Sequence, residues 1–210
     1  MKYLSLSACL LTALLLVCPP VHAEEKHGTA TLAGGCFWCV ESAFEGIPGV
    51  MDVVSGYADG SGDNPTYDDY AEKGHVEAVE ILYDPAKISY DGLLDIFWRQ
   101  INPADGEGQF VDRGQQYRPA IFYHNEEQKK LAEASRDKIA ASGKFEGPIA
   151  VEILPASKFY RAEEYHQDYY RKNPIRYKYY RFRSGRDQFL KKTWGARPEN
   201  AAAHSGQTPA

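Results

Sequence analysis

The sequence feature that most constrains the fold is the segment 34–41, which reads Gly-Gly-Cys-Phe-Trp-Cys-Val-Glu. Residues 29–33 before it favour a short strand, and the apolar residues after it recur at helical spacing. We therefore predict that Cys36 lies where a strand passes into a helix. The unpaired N–H groups and the positive dipole end of a helix N-terminus stabilise an anion, so we expect the pKa of the Cys36 thiol to fall.

A second cysteine, Cys39, follows about one helical turn after Cys36, close enough for a disulfide without large backbone movement. The two cysteines are typical of a redox dithiol, and two other interpretations compete with this one. A structural disulfide across so small a loop stabilises a fold by only about 2 kcal/mol. A zinc site needs four ligands, and no second Cys-x-x-Cys pair follows, which leaves scattered histidines such as His75, His124 and His166. We therefore favour a redox dithiol.

Residues 1–23 have the layout of a secretory signal peptide, in which a basic residue precedes an apolar run and a Val-His-Ala ending. The apolar run is too short to span a membrane. We predict cleavage after Ala23 and an exported, periplasmic protein. Anchoring as a lipoprotein through Cys18 is disfavoured because the bulky Val17 directly precedes that cysteine.

Removal of the leader takes away one lysine and no acidic residue, which leaves 23 basic and 29 acidic side chains. This balance argues against a nucleic-acid partner. Cys36 and Cys39 then remain as the only cysteines in an oxidising compartment, so the pair needs an electron donor to stay reduced. Residues 24–195 are long enough for one domain with one core, and residues 196–210, which lack apolar periodicity, are predicted to be disordered.

The predicted elements alternate in the order strand, helix, strand, strand, helix, strand, helix, strand. Strands are predicted at residues 29–33, 50–57, 75–83, 119–123 and 149–154, and helices after residue 36 and at residues 89–101 and 125–141. The first six elements match a ferredoxin-like α+β two-layer sandwich, with a mixed or antiparallel sheet and helices on one face. Residues 102–117 are predicted to form a long irregular excursion. The C-terminal part, rich in tyrosine and arginine, is predicted as a long coil that wraps the core, with a final short helix at residues 186–194.

Glu77 is the candidate for a general acid. Strand alternation places it on the same face as His75 and Val79. A carboxyl group in an apolar site keeps its proton to higher pH and can donate it near neutrality. Spacing alone leaves open that Glu77 is an ordinary solvated strand residue.

Six motifs occur in the order seen in A-type peptide methionine sulfoxide reductases, and the resemblance covers residues 29–175. They are Gly-Cys-Phe-Trp at 35–38, Asn-Pro-Thr-Tyr at 64–67, Gly-His-Val-Glu at 74–77, Tyr-Asp-Pro at 83–85, Asp-Arg-Gly-Gln-Gln-Tyr-Arg at 112–118 and Tyr-His-Gln-Asp-Tyr at 165–169. The resemblance implies thiol-dependent reduction of methionine-S-sulfoxide, free or in proteins, to methionine, and thus repair of oxidised proteins. It implies no metal and no organic cofactor.

The resemblance also implies roles for individual residues. Cys36 is the nucleophile that attacks the sulfoxide sulfur and becomes a sulfenic acid, and Phe37 and Trp38 line the pocket for the S-methyl group. Glu77 is the protonated carboxyl that hydrogen-bonds and protonates the sulfoxide oxygen. Protonation of that oxygen makes it a good leaving group as the Cys36 thiolate attacks.

The remaining implied roles concern hydrogen bonding at the oxygen and recycling of the enzyme. Tyr67 and Tyr117 supply hydroxyl donors, and Asp112 shapes the site through its hydrogen bonds. Many relatives resolve the sulfenic acid with a C-terminal cysteine, whereas this chain has none there, so Cys39 is the implied resolving residue. A Cys36–Cys39 disulfide would then be reduced by thioredoxin or an exported equivalent.

The main alternative is an exported thiol-disulfide oxidoreductase that uses the same Cys-x-x-Cys. That class has no need of Glu77, Tyr67 and Tyr117 near the sulfur, and the predicted strand order does not match a thioredoxin fold. A non-catalytic protein that binds methionine-rich partners through its aromatic surface is a further alternative. We expect a monomer.

Overall fold

The computed structural model describes residues 27–195. Within them the strands are β1 (Gly28–Ala33), β2 (Val50–Ala58), β3 (Val76–Tyr83), β4 (Gly108–Gln109), β5 (Asp112–Arg113), β6 (Ala120–Tyr123), β7 (Glu152–Pro155) and β8 (Tyr160–Arg161). The helices are α1 (Phe37–Phe44), α2 (Tyr90–Trp98), α3 (Glu126–Ala141), α4 (Tyr169–Lys172), α5 (Pro174–Arg183) and α6 (Arg186–Trp194), with a 3-10 turn at Gln115–Tyr117.

Six strands form one mixed sheet in the order β7-β6-β1-β3-β2-β8. All neighbours are antiparallel except β6 and β7. The four central strands, β6-β1-β3-β2, have the order of a ferredoxin-like sheet, so the predicted fold class is confirmed. The excursion predicted at residues 102–117 carries β4 and β5, a two-stranded ribbon apart from the main sheet.

Side chains alternate across the central strands and so divide the interior into two layers. On one face, Leu32, Val79 and Ile81 are fully buried beneath the helices. On the other face, Phe122 belongs to a smaller cluster that packs against the loop at residues 156–159. The helices therefore cover one face, and β3 lies in the middle of the sheet with Glu77 on the helix side.

The predicted helix starts are confirmed by capping hydrogen bonds. The Ser89 hydroxyl accepts from the Gly92 N–H at 3.1 Å, and the Asn125 side chain accepts from the Gln128 N–H at 2.9 Å. Each cap satisfies one of the N–H groups that a first helical turn leaves unpaired. In the layer above the sheet, the buried Trp98 of α2 donates its indole N–H to Ser135 of α3 at 2.7 Å, which joins the two helices.

The C-terminal segment wraps the core as predicted, but most of it is helical rather than coil. Its two helix-breaking residues, Pro174 and Gly185, lie at the two ends of α5, so a ten-residue run without glycine or proline is free to form a helix. The short helix predicted at residues 186–194 is confirmed as α6. Aromatic residues of α4 and α5 pack around the two cysteines.

Two predictions concern residues that the structure does not describe. The signal peptide at residues 1–23 and the disordered tail at residues 196–210 lie outside the described part of the chain and stay predictions. Between residues 27 and 195, none of the helices has the length and apolar character to cross a bilayer.

Candidate active site

Cys36 lies at the junction between β1 and α1, directly before the first helical residue, as predicted. Its carbonyl accepts hydrogen bonds from the N–H groups of Cys39 and Val40 at 3.0 and 3.3 Å. The turn into the helix requires glycine at position 35, because φ is +77° and a Cβ would lie 2.5 Å from the Cβ of Gln109. Cys36 and Cys39 are both buried free thiols.

The surroundings act in opposite directions on the pKa values of the two thiols. Burial, followed by the hydrogen bond to Cys39, raises the pKa of Cys36 well above its ordinary value. The hydrogen bond from Cys36, and then the positive charges of Arg186 and Arg181, lower the pKa of Cys39 to about 6 against the opposing effect of burial. The expectation of a lowered pKa at Cys36 is therefore wrong, because desolvation outweighs the helix dipole.

Glu77 is buried at the beginning of β3, with 3% of its surface exposed. Its Oε2 accepts from the N–H of Phe37 at 2.9 Å, and its Oε1 accepts from the hydroxyl of Tyr70 at 3.1 Å. Burial raises the pKa of Glu77 to about 8 despite these two hydrogen bonds. The interpretation of Glu77 as a solvated strand residue is thus excluded, and the carboxyl carries a proton at neutral pH.

A small cavity of about 110 Å³ opens between α1, β3 and the excursion. Its lining residues are Cys36, Phe37, Trp38, Tyr67, Glu77, Asp112, Tyr117 and Tyr180. All of these residues except Tyr180 were predicted for the site from the sequence. The remaining predicted residue, Cys39, is fully buried and does not line the cavity. Tyr67, 40% exposed, is the most solvent-accessible of the predicted residues, so the cavity opens to solvent at Tyr67 while its inner residues are buried.

The excursion supplies one wall of the cavity. Asp112 lies in β5 and accepts a hydrogen bond from the hydroxyl of Tyr180 in α5, and burial raises its pKa. Tyr117, in the 3-10 turn, interacts with the hydroxyl of Tyr70, which in turn donates to Glu77. The phenols and carboxyls next to the sulfur thus form two hydrogen-bonded groups, Asp112 with Tyr180 and Glu77 with Tyr70 and Tyr117.

Phe37 and Trp38 form the aromatic wall of the cavity. The C-terminal segment holds this wall in place. The indole N–H of Trp38 donates to Nδ1 of His166 at 3.1 Å, and its ring stacks on Tyr169 with centroids 3.7 Å apart. Burial lowers the pKa of His166, which keeps the imidazole neutral and able to accept. The ring of Phe37 contacts the same histidine at 4.9 Å between centroids.

Several residues at the site were missed in the sequence. Tyr70 follows Tyr67 by one helical turn, and that spacing was the only signal for it. Tyr180 and Arg186 come from a segment without a motif, so nothing local marked them. His75, predicted on the face of Glu77, instead lies just before β3, where its Nδ1 accepts from the N–H of Gly60 at 3.0 Å.

The site can hold a small molecule with one polar and one apolar end. Proton-bearing groups and aromatic rings both line the cavity that contains the Cys36 sulfur. Over residues 27–195, no group of three or more histidine, cysteine or acidic side chains is placed to bind a metal ion.

Comparison with known proteins identifies relatives over most of the chain. The family model described as "Peptide methionine sulfoxide reductase" matches residues 28–198. The peptide methionine sulfoxide reductase MsrA of Bacillus licheniformis is 53% identical over 173 residues, which cover 81% of this chain and 96% of the relative. The MsrA/MsrB protein of Vibrio cholerae is equally similar, but this chain spans only 46% of its length.

Solved structures give the same result. Mxr1 from Saccharomyces cerevisiae in its reduced form has a TM-score of 0.67 at 32% identity, over 71% of this chain and 87% of that one. Mxr1 in complex with Trx2 has a TM-score of 0.51 at 25% identity, over 72% of this chain and 91% of that one. With a family model that spans most of its length and relatives above 50% identity, the chain belongs to the peptide methionine sulfoxide reductase family.

Proposed function

We propose that this chain reduces methionine-S-sulfoxide, free or in oxidised proteins, to methionine. The observation that carries this proposal is a carboxyl, Glu77, that keeps its proton up to about pH 8 and lines the same cavity as the Cys36 thiol and the aromatic wall. A sulfoxide has a polar S–O group that needs donors and a methyl group that needs a dry apolar surface. The cavity offers both.

In the first step, the S-methyl group contacts Phe37 and Trp38 while the sulfoxide oxygen accepts from Glu77. The Cys36 sulfur attacks the sulfoxide sulfur as Glu77 transfers its proton to the oxygen. The hydrogen bond from Cys36 to Cys39 gives the thiol proton an acceptor at that moment. The attack forms a bond between the two sulfurs. This S–S bond and the substrate S–O bond then break as the hydroxyl group moves to the Cys36 sulfur, which leaves Cys36 as a sulfenic acid and returns an electron pair to the methionine sulfur.

In the second step, Cys39 attacks the sulfenic acid and forms the Cys36–Cys39 disulfide. Cys39 is the other cysteine among residues 27–195, and it is already hydrogen-bonded to Cys36. The disulfide would be recycled by thioredoxin or an exported equivalent, a partnership supported by the structure of the related Mxr1 with Trx2. The complete cycle consumes two electrons for each sulfoxide.

We also propose that the protein is exported to the periplasm through the leader at residues 1–23 and that it acts there as a monomer. The support is the sequence pattern of that leader and the small number of cysteines in the remaining chain. Mass spectrometry of the mature N-terminus tests this: a chain that begins at Glu24 agrees, and an intact or lipidated N-terminus contradicts it.

The proposed reaction is tested with the two epimers of methionine sulfoxide and thioredoxin as the electron donor. We expect consumption of the S epimer only, and no turnover by Cys36→Ser. Turnover by Cys36→Ser at the wild-type rate, or a wild-type enzyme that reduces a disulfide substrate but neither epimer, would refute the proposal. The second result would favour a thiol-disulfide oxidoreductase.

A further inference from the structure

Arg186, the first residue of α6, is a buried cation without an acidic partner. None of its surface is exposed, and its guanidinium donates to the backbone carbonyls of Gln100 and Gly34. Across residues 27–195 it forms no ion pair with a carboxylate, and its Nε atom lacks a hydrogen-bond acceptor. Because an isolated buried charge is costly, such an arginine calls for an anion nearby.

The position of the guanidinium points to the dithiol. Its bond to the Gly34 carbonyl, 3.1 Å long, places it beside the two glycines that precede Cys36. A Cβ at Gly35 would lie only 3.2 Å from its Nη2 atom, so the glycine allows this close approach. Burial raises the pKa of the neighbouring Asp112 carboxyl overall, although the charge of Arg186 lowers it, and the carboxyl already accepts from Tyr180, which makes it a weaker candidate for the anion.

A second arginine, Arg181, donates its Nη1 to the carbonyl of Cys39 at 3.5 Å but is already paired with an acidic residue. Its Nε donates to Asp187 at 2.8 Å, and its Nη1 donates to the hydroxyl of Tyr177 at 3.1 Å. A paired guanidinium exerts a weaker net field than an unpaired one. Arg186 is therefore the stronger source of positive charge at the dithiol.

We propose that Arg186 is the counter-ion of the Cys39 thiolate and acts as a positioning residue for the resolving step. The inference rests on the proposed function, in which Cys36 becomes a sulfenic acid. Cys39 gives up the proton that it accepted in the first step and attacks the Cys36 sulfur as a thiolate, so the S–S bond forms and the S–O bond breaks. Cys39 is oxidised, the Cys36 sulfur is reduced, and the departing hydroxide takes that proton and leaves as water.

The charge of Arg186 has its largest effect in the resolving step, after Cys36 has become a sulfenic acid. In the reduced pair, Cys36 donates the hydrogen bond that contributes most to the low pKa of Cys39. Once Cys36 carries oxygen it is no longer that thiol, whereas the charge of Arg186 is unchanged. Arg186 therefore keeps Cys39 in its reactive form when Cys36 cannot.

The test separates the two chemical steps across pH 5.5 to 9. Enzyme and one equivalent of the S-sulfoxide are mixed without a donor, and released methionine and the intramolecular disulfide are quantified by rapid quench and mass spectrometry. Arg186→Gln keeps a donor for the carbonyls but loses the charge, and Arg186→Lys keeps the charge. Arg183→Met, at an exposed site in α5, is the matched control.

We expect Arg186→Gln to move the midpoint of the disulfide-formation profile upward by about one pH unit, the low end for loss of a neighbouring opposite charge. A thiolate of higher pKa is also more nucleophilic. Well below the wild-type midpoint the two effects make disulfide formation about threefold slower, and well above both midpoints they make it about threefold faster. Arg186→Lys and Arg183→Met should follow the wild-type profile.

Each outcome decides one question. Identical profiles for wild type and Arg186→Gln overturn the inference and leave the proposed function intact, whereas no methionine release by wild type overturns the proposed function. If Arg186→Gln fails to fold, Arg186→Lys decides: a wild-type midpoint supports the charge, and a displaced midpoint contradicts it. Thiolate absorbance of the reduced enzyme, with Cys39→Ser as the blank, should show an upward shift of the Cys39 midpoint in Arg186→Gln without any turnover.

Discussion

Glu77→Gln is the change that tests the acid most sharply. Glutamine keeps the shape of the side chain and can still accept from the N–H of Phe37, but it has no proton to give at the pH of the reaction. With a pKa of about 8, roughly nine in ten Glu77 carboxyls are protonated at pH 7. At the ordinary glutamate value of 4.5, only about one in 300 would be.

Burial thus raises the population of the acid by a factor of roughly 300 at pH 7, which falls within the range of a positioned general acid. We expect Glu77→Gln to slow the first turnover by about 100-fold or more. The pH profile gives a second signature. The reactive form is protonated, so the wild-type rate should fall about tenfold per pH unit above pH 8, and the variant should lack that limb.

The assay is methionine release in a rapid-quench experiment without a donor, between pH 6 and 9.5. Glu80→Gln is the matched control, because Glu80 lies on the same strand but faces the opposite side of the sheet. Its first-turnover rate should equal that of wild type. A Glu77→Gln rate equal to wild type, or a variant that keeps the high-pH limb, would remove Glu77 from the mechanism.

Two further predictions concern stability. Glu41 in α1 is buried, its pKa is raised to about 8 chiefly by burial, and its Oε2 has no hydrogen-bond partner among residues 27–195. A raised carboxyl pKa means that the folded protein loses stability as pH rises from about 4.5 to about 8. Glu41→Gln should therefore flatten the dependence of stability on pH and raise the free energy of unfolding at pH 8 by about 1–3 kcal/mol, measured by urea titration. An unchanged slope would contradict the account. Ser135→Ala should lower the free energy of unfolding by about 1–3 kcal/mol because it leaves the buried indole N–H of Trp98 without an acceptor. Ser142→Ala, at the exposed end of α3, is the control. Equal losses of stability in the two variants would refute the argument.

Local patterns predicted the positions of two site residues on their elements. Helical spacing placed Cys36 at the start of α1, and strand alternation placed Glu77 on the same face of β3 as Val79, because each depends only on the period of its own element. Spacing did not decide whether Glu77 is buried, and its role was implied only by the family resemblance. The order of the first six elements likewise predicted the arrangement of the central sheet, since short connections restrict the topology.

The parts that could not be predicted depend on contacts between distant segments. Arg186 reaches Gly34 across 152 positions, and His166 reaches Trp38 across 128. No periodic pattern carries that information, because such contacts depend on how whole elements pack. The direction of the pKa at Cys36 failed for the same reason: the helix terminus was visible in the sequence, whereas the burial that outweighs it comes from α5 and the excursion.

The most direct test of the central claim, that Cys36, Glu77 and the aromatic wall act as one reducing site, uses Cys39→Ser and one equivalent of the S-sulfoxide. We expect one methionine per chain, a mass increase of one oxygen located on Cys36, and no second turnover when thioredoxin is added. Methionine release with the oxygen on any other residue, or sustained turnover by this variant with thioredoxin, would contradict the account.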